Sequence, residues 1–452
     1  MLEIPKMRDY DVSSKTGFLP SELPLCRLPQ EYFKVWEDLV NNLPSLILTR
    51  QIRRLVDEKL KVLSTKELQG VRQYRRAYQI LSFLAHAYIW GEEPTINRLP
   101  EQIAKPLIEV ADVLELPPVA TYSSLCLWNF KEIMPTEDGE EFWDLNNLTT
   151  INTFTGSIDE SWFYLVSVFF EYKGAYAMKT GLEVIESVLE DDVEKVTNNL
   201  QKLAELIDHL GSIMMKMEEM CDPHIFYFRI RPFLAGWKNM ADFGLDKDGV
   251  IYGTETIPRS YAGGSNGQSS LIQFLDILLD VNHYSTGERP LPHQLRTLAE
   301  GSKSSFPEEM RSYMPGPHRK FLERLEEISN IREYVLAHKD TCSEMTLSYD
   351  ACLAMMKLFR DKHIQIVTRY IVLQAKQSTR MGSTSTLRSG LAKHRKNSME
   401  EERGTGGTAL LPFLKQCRDE TGDPAAGNWG KRILSDGVMR LKYSKPSYIN
   451  ED

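Results

Sequence analysis

No apolar run in this sequence is long enough to cross a bilayer. The strongest, WFYLVSVFF at 162–170, supplies about half of the ~20 residues that a membrane helix needs. Where a secretory signal requires an apolar stretch, the N-terminal MLEIPKMRDYDVSSKTGFLP carries charges, so a cytoplasmic protein with no membrane partner is expected. Disulfides and zinc are disfavoured too. Six cysteines (Cys26, Cys126, Cys221, Cys342, Cys352 and Cys417) are scattered without a CxxC pair, which in a chain this long means reduced thiols. A basic surplus is also missing: the formal charge is −9, which excludes the electrostatic footprint of nucleic-acid binding. Strand signals are few, mainly GVIYGT at 249–254.

What remains is helical. Hydrophobic content of 42% and charged content of 26% over 452 residues can build a sizeable core, and single cores stop growing near roughly 250–300 residues, so two domains are expected. Residues 1–30, rich in proline and turn formers, read as an extended arm. Helical patterning follows from 31 to 92, and again in LPEQIAKPLIEVADVLELPP, bounded by prolines. The acidic, turn-rich TEDGEEFWDLNNL at 136–148 is a domain junction, dividing a small helical domain (1–148) from a large one (149–452). Val193, Val196, Leu200, Leu203, Ile207, Leu210, Met214 and Met217 alternate steps of three and four, the spacing of a core-facing stripe. Residues 376–403 have almost no large apolar side chains and no acid before Glu400, a composition that cannot support a core and predicts disorder. The fold class is all-α.

Among nine histidines, His363 in LFRDKHIQIVTRYIV stands out. Phe359, Ile366 and Val367 share its helix face, and Arg360 lies three residues before it. A lone histidine in such a place is more often a satisfied core residue than a ligand. If it is a ligand, its neighbours limit the metal. No second His, Cys or carboxylate lies three or four residues away, which disfavours zinc and non-haem iron, whereas haem needs a single axial histidine. Arg360 would then face a propionate, or form an ordinary surface ion pair.

Three further stretches hold candidates. In SWFYLVSVFFEY, Phe163 and Ser167 share a face, with the alternative that Ser167 bonds back to the carbonyl one turn earlier. In HIFYFRIRPFLAGW, Arg229 and Arg231 are embedded among aromatics and need anionic partners, while Pro232 disfavours helical geometry at Arg231, so a helix should end or bend there. YAGGSNGQSS at 261–270 is a turn that a ligand can approach closely, but it lacks the lysine and spacing of a phosphate loop.

Six blocks, LVS at 165–167, AGW at 235–237, AGGSNGQSS, YMPGPHRKFL at 313–322, HIQIVTRYI at 363–371 and GTGGT at 404–408, occur in the order seen in indoleamine 2,3-dioxygenases, and the chain resembles a fungal-type member of that family. The resemblance implies two helical domains, the larger carrying one haem b per chain, ferrous when active. It implies His363 as the proximal iron ligand and Arg360 as the haem-side arginine, with Asp276 its expected partner. Phe163, Ser167, Phe226 and Arg231 would line the distal pocket, with Ser167 a hydrogen-bonding orienter and Arg231 binding the substrate carboxylate. Tyr122 and Leu234 would shape the indole site, Gly264 and Ser265 would border the haem, and Thr405 would belong to a mobile loop closing over substrate. The implied reaction inserts both atoms of O2 across the indole C2–C3 bond of L-tryptophan, giving N-formyl-L-kynurenine on the route towards NAD. An unidentified reductant is implied, and nothing demands more than a monomer. Asn266, Tyr164 and Cys126 depart from the animal pattern. A haem-binding sensor with little turnover is the alternative, and the presence of Arg231, Phe226 and Ser167 argues against it.

Overall fold

The computed structural model describes residues 4–136, 143–287, 289, 305–380, 391, 404 and 410–435, with the side chains of 305–307 and 377–380 left aside. Numbered in chain order, the longer helices are α1 (Gly70–Trp90), α2 (Glu101–Val113), α3 (Ile158–Leu189), α4 (Val193–Met215), α5 (Ser270–Leu278), α6 (Gly316–Ile328), α7 (Ser343–Val367) and α8 (Leu410–Glu420). Strand is confined, among the described residues, to two short pairs. Arg98–Leu99 runs parallel to Ile251–Tyr252, inside the expected GVIYGT, and Phe130–Glu132 runs antiparallel to Leu148–Thr150. The fold is all-α in class.

The longest helix, α3, starts where Ser157 Oγ accepts the Glu160 amide at 3.2 Å, a side-chain cap that satisfies one of the orphan donors of the first turn. Glu160 then reaches back to accept the amides of Phe154 and Thr155, each at 2.7 Å. Further along α3, Gly174 and Gly181 lie seven residues apart and open a groove. A Cβ at either would come within 2.0 Å of Leu271 or 2.2 Å of Leu278, so their bareness lets α5 lie directly on α3. The α4 stripe packs against α7. Val196, Leu200, Leu203, Ile207 and Leu210 are essentially sealed from solvent, each contributing on the order of 1.5–3 kcal/mol by burial. Met214 and Met217, at its end, turn instead to a cavity. The stripe is therefore what holds the His363 helix in place.

Helix α1 is buried on every side from Arg76 to Trp90 and pins the segment after Ile230. His86 donates from Nδ1 to the Phe233 carbonyl at 2.7 Å and accepts the Ala120 amide at Nε2; complete burial holds it neutral, its pKa pushed down to about 4. Trp90 donates to the Ala235 carbonyl at 2.9 Å. At the next residue two backbones cross: a Cβ on Gly263 would lie 2.0 Å from the Leu234 carbonyl oxygen and 2.4 Å from the Gly236 amide. That crossing fixes the glycine-serine turn beside Leu234.

Two expectations need correction. Arg231 is helical, at φ −50° and ψ −38°, despite Pro232. The missing amide is accommodated by widening the preceding turn, Phe226–Ile230, to a π-type turn. Residues 376–380, expected to begin a disordered segment, complete the helix Leu373–Arg380, and Leu391 is buried. The rest of 376–403 lies outside the described residues.

Candidate active site

Residues of α3, α4, α5, α7 and α8 and the turn at 264–267 line a cavity of about 250 Å³. His363 is on its wall with Phe359, Ile366 and Val367 beside it, as their spacing on α7 dictates. Its ring is enclosed by protein yet reachable from the cavity. Burial, and then the Arg360 charge, push its pKa down to about 4, so the imidazole is neutral and can offer a lone pair to a metal.

Beside it runs a line of alternating charges. Arg360 donates to Asp276 Oδ1 at 2.5 Å. Asp276 Oδ2 lies 3.4 Å from His283 Nε2, and His283 Nδ1 lies 2.7 Å from Glu420 Oε2. Burial alone would raise the Asp276 pKa, but Arg360 and His283 outweigh it and hold the carboxyl below its usual range. Burial and Arg360 work against a charge on His283, and the acceptors around it prevail, holding its pKa well above the usual value. His283, Cys417 and Glu420 are the one cluster of potential metal ligands found among the described residues, and His363 is not in it. A lone neutral imidazole at a cavity wall does not suit zinc or non-haem iron, which take several protein ligands. It suits haem, whose porphyrin supplies the other four.

The remaining wall is aromatic. Phe163 and Phe226 meet at 4.9 Å between ring centroids, and Tyr122, Leu234, Gly264, Ser265, Asn266, Tyr164 and Cys126 join them. Gly264 leaves room here, since a Cβ would press on Leu125.

Ser167 and Arg231 stand behind the wall rather than on it. The Ser167 hydroxyl lies 3.4 Å from the Phe163 carbonyl, the bond one turn back that its helix position allows, and also meets the Tyr122 hydroxyl. Arg231 is buried over the Tyr227 ring, 5.0 Å from its centroid, and donates from Nη1 to the Leu391 carbonyl at 3.2 Å. Thr405 lies outside the described residues.

The family model for indoleamine 2,3-dioxygenases matches residues 6–424. The chain belongs to the indoleamine 2,3-dioxygenase family. It is 46% identical to the indoleamine 2,3-dioxygenase of Saccharomyces cerevisiae, covering 93% of this chain and 94% of that one. It is 39% identical to indoleamine 2,3-dioxygenase nanC of Aspergillus nanangensis, over 91% of this chain and 95% of the relative. It is 35% identical to 6-hydroxytryptophan 2,3-dioxygenase fscD of Fusarium equiseti, over 91% and 96%. Indoleamine 2,3-dioxygenases are haem-dependent oxidoreductases that act on tryptophan with O2. Among the described residues no helix is long and apolar enough to cross a membrane.

Sequence reasoning missed Glu171 and His283. Glu171 had a signal, one turn beyond Ser167 on the face that Phe163 begins. His283, in DVNHYST, had none, because the charges around it arrive from α5, α7 and α8.

Proposed function

We infer that this protein is a haem dioxygenase that inserts both atoms of O2 across the C2–C3 bond of L-tryptophan, releasing N-formyl-L-kynurenine. The observation that carries the reading is His363, a neutral imidazole that belongs to no cluster of three potential metal ligands among the described residues, opening on the same cavity as Phe163 and Phe226. Haem, once bound, supplies the oxygen chemistry; the protein supplies orientation, polarity and exclusion of water. His363 would hold the haem iron through its neutral imidazole. Arg360, already neutralised by Asp276, offers the haem side a guanidinium whose charge is balanced within the fold. Phe163 and Phe226 give the indole ring aromatic faces and edges, with Tyr122 and Leu234 limiting where it sits, and Gly264 and Ser265 bordering the cofactor. Arg231 binds the substrate carboxylate by trading its Leu391 carbonyl contact for an ion pair, in which its planar guanidinium can donate two parallel bonds. Ser167 orients rather than abstracts protons, since its hydroxyl is engaged with Phe163 and Tyr122.

The same reading takes one haem b per chain, ferrous when active, with an outside reductant, in a cytoplasmic monomer. Residues 1–148 form the smaller unit and 149–452 the cofactor-holding one. The test compares wild type with His363→Ala for haem content, Soret absorption and N-formylkynurenine release, offering L-tryptophan and 6-hydroxytryptophan in parallel. Loss of haem and product together in the variant is expected. Full haem with a wild-type spectrum in His363→Ala would mean that another residue holds the iron.

A further inference from the structure

Behind the aromatic wall, α3 carries one buried acid. Phe163, Ser167 and Glu171 are spaced four apart, so they share a face of the helix, and Glu171 is 1% exposed. Its two oxygens are treated differently. Oε1 accepts the Tyr122 hydroxyl at 3.1 Å and the Ser269 hydroxyl at 2.6 Å. Oε2 is buried with no hydrogen-bond partner. Among the described residues the titratable groups that face it are the Tyr122 phenol and the Cys126 thiol, and no cation contributes to its environment. A buried carboxylate in that setting is costly, and burial pushes its pKa up to about 7. The neutral acid, with its proton on Oε2 and its carbonyl oxygen taking both hydroxyls, is the form that these contacts accommodate.

Those two hydroxyls belong to different walls of the cavity. Tyr122 lines it directly. Ser269 is the residue before α5, the helix that carries Asp276, and follows the turn Gly264–Gly267 that also lines it. Gln268 makes a parallel tie, accepting the Tyr122 amide at 2.9 Å and donating to the Gly263 carbonyl at 2.9 Å. Backbone and side chain of Tyr122 are thus held separately, by Gln268 and by Glu171.

We propose that Glu171 is a positioning residue for substrate binding, the acceptor that locks the Tyr122 side chain on the cavity wall to the start of α5. This rests on reading the cavity as the indole site. Glu171 touches neither substrate nor cofactor and acts through Tyr122. Removing the tie leaves the phenol with its Ser167 contact alone and lets it shift, so the loss falls on substrate binding. Ionisation of Glu171 places a negative charge behind a pocket that must take an anionic carboxylate, so wild-type binding weakens on the alkaline side.

The test uses haem-loaded Glu171→Leu and Glu171→Gln, with Soret absorption as the control for cofactor. Glu171→Leu keeps the volume and removes both bonds. It raises KM for L-tryptophan roughly tenfold with kcat changed by less than about threefold, the effect of one lost buried hydrogen bond. Glu171→Gln keeps a neutral acceptor, so at about pH 6 its KM lies within about twofold of wild type. Wild-type KM rises through a midpoint near neutrality between about pH 6 and about pH 8.5, and the Gln variant is flat over that range. A wild-type KM in Glu171→Leu overturns the proposal. If that variant does not fold, the same pH midpoint in Glu171→Gln as in wild type overturns it instead. An active wild type with unaffected variants sinks this proposal alone. Wild type showing neither turnover nor an L-tryptophan-induced Soret shift sinks the indole-site reading as well.

Discussion

Replacing Arg360 by leucine strips Asp276 of its closest counter-charge. The pair is 2.5 Å apart, with each side chain about a tenth exposed, at 12% and 11%. Removing one partner of such a pair costs about 3–5 kcal/mol, because the other charge stays buried and uncompensated. His283, 3.4 Å from Asp276, remains as partial compensation, which puts Arg360→Leu at the lower end, about 3 kcal/mol. Asp276→Asn strands Arg360, whose Nε already lacks a partner, and costs a similar amount. In the double variant neither charge is stranded, so the costs do not add, and a coupling on the order of 2 kcal/mol is expected. Denaturant unfolding of the haem-loaded proteins measures this through midpoints at constant slope, with haem absorption recorded alongside. The pH dependence carries a sign. The Asp276 pKa is depressed in the fold, so its contribution is complete above the unfolded value of about 3.9 and fades as pH falls below it. Asp276→Asn removes that acid-side loss. A cost under about 1 kcal/mol for Arg360→Leu, with an additive double variant, would refute the argument that this pair is a buried, mutually dependent unit.

Two further outcomes follow from the geometry. Arg231→Leu weakens L-tryptophan binding by about 1.5–3 kcal/mol while haem stays in place; tryptamine, lacking the carboxylate, is affected much less, and equal losses for both ligands would make Arg231 structural. Glu171→Gln stabilises the fold at neutral pH by an amount on the order of 3 kcal/mol, since the Glu171 pKa is raised from 4.5 to about 7. Between those two values the unfolded chain has released a proton that the native state retains, so wild-type stability falls with rising pH there. Unfolding midpoints near pH 4.5 and pH 7 check this, and a difference between the proteins that does not change with pH contradicts it.

The parts of the site that could be read from the chain are those decided by one helix. The face carrying Phe359, His363, Ile366 and Val367 follows from helical spacing, and the cavity lies along it. The Val196–Leu210 stripe likewise announces a packing surface, though not that its partner is the His363 helix. What escaped reading depends on meetings between distant segments. His283 acquires its charge only because Asp276 and Glu420 come to either side of it. Arg231 looked like a wall residue, yet the Leu391 carbonyl and the Tyr227 ring hold it behind the wall. Pro232 argued for a break, and the backbone answered with a wider turn. No local rule distinguishes these outcomes, because each is settled by what another part of the chain offers as a partner.

Dioxygen insertion into tryptophan in this cavity can be followed atom by atom. The direct test incubates haem-loaded protein with L-tryptophan, a reductant and heavy-isotope O2, and follows oxygen uptake and the mass of the product. N-formylkynurenine carrying both labelled atoms, formed with one O2 consumed per tryptophan and absent with His363→Ala, is the predicted result. Fully haem-loaded protein that leaves tryptophan unchanged, or a product carrying only one labelled atom, contradicts it.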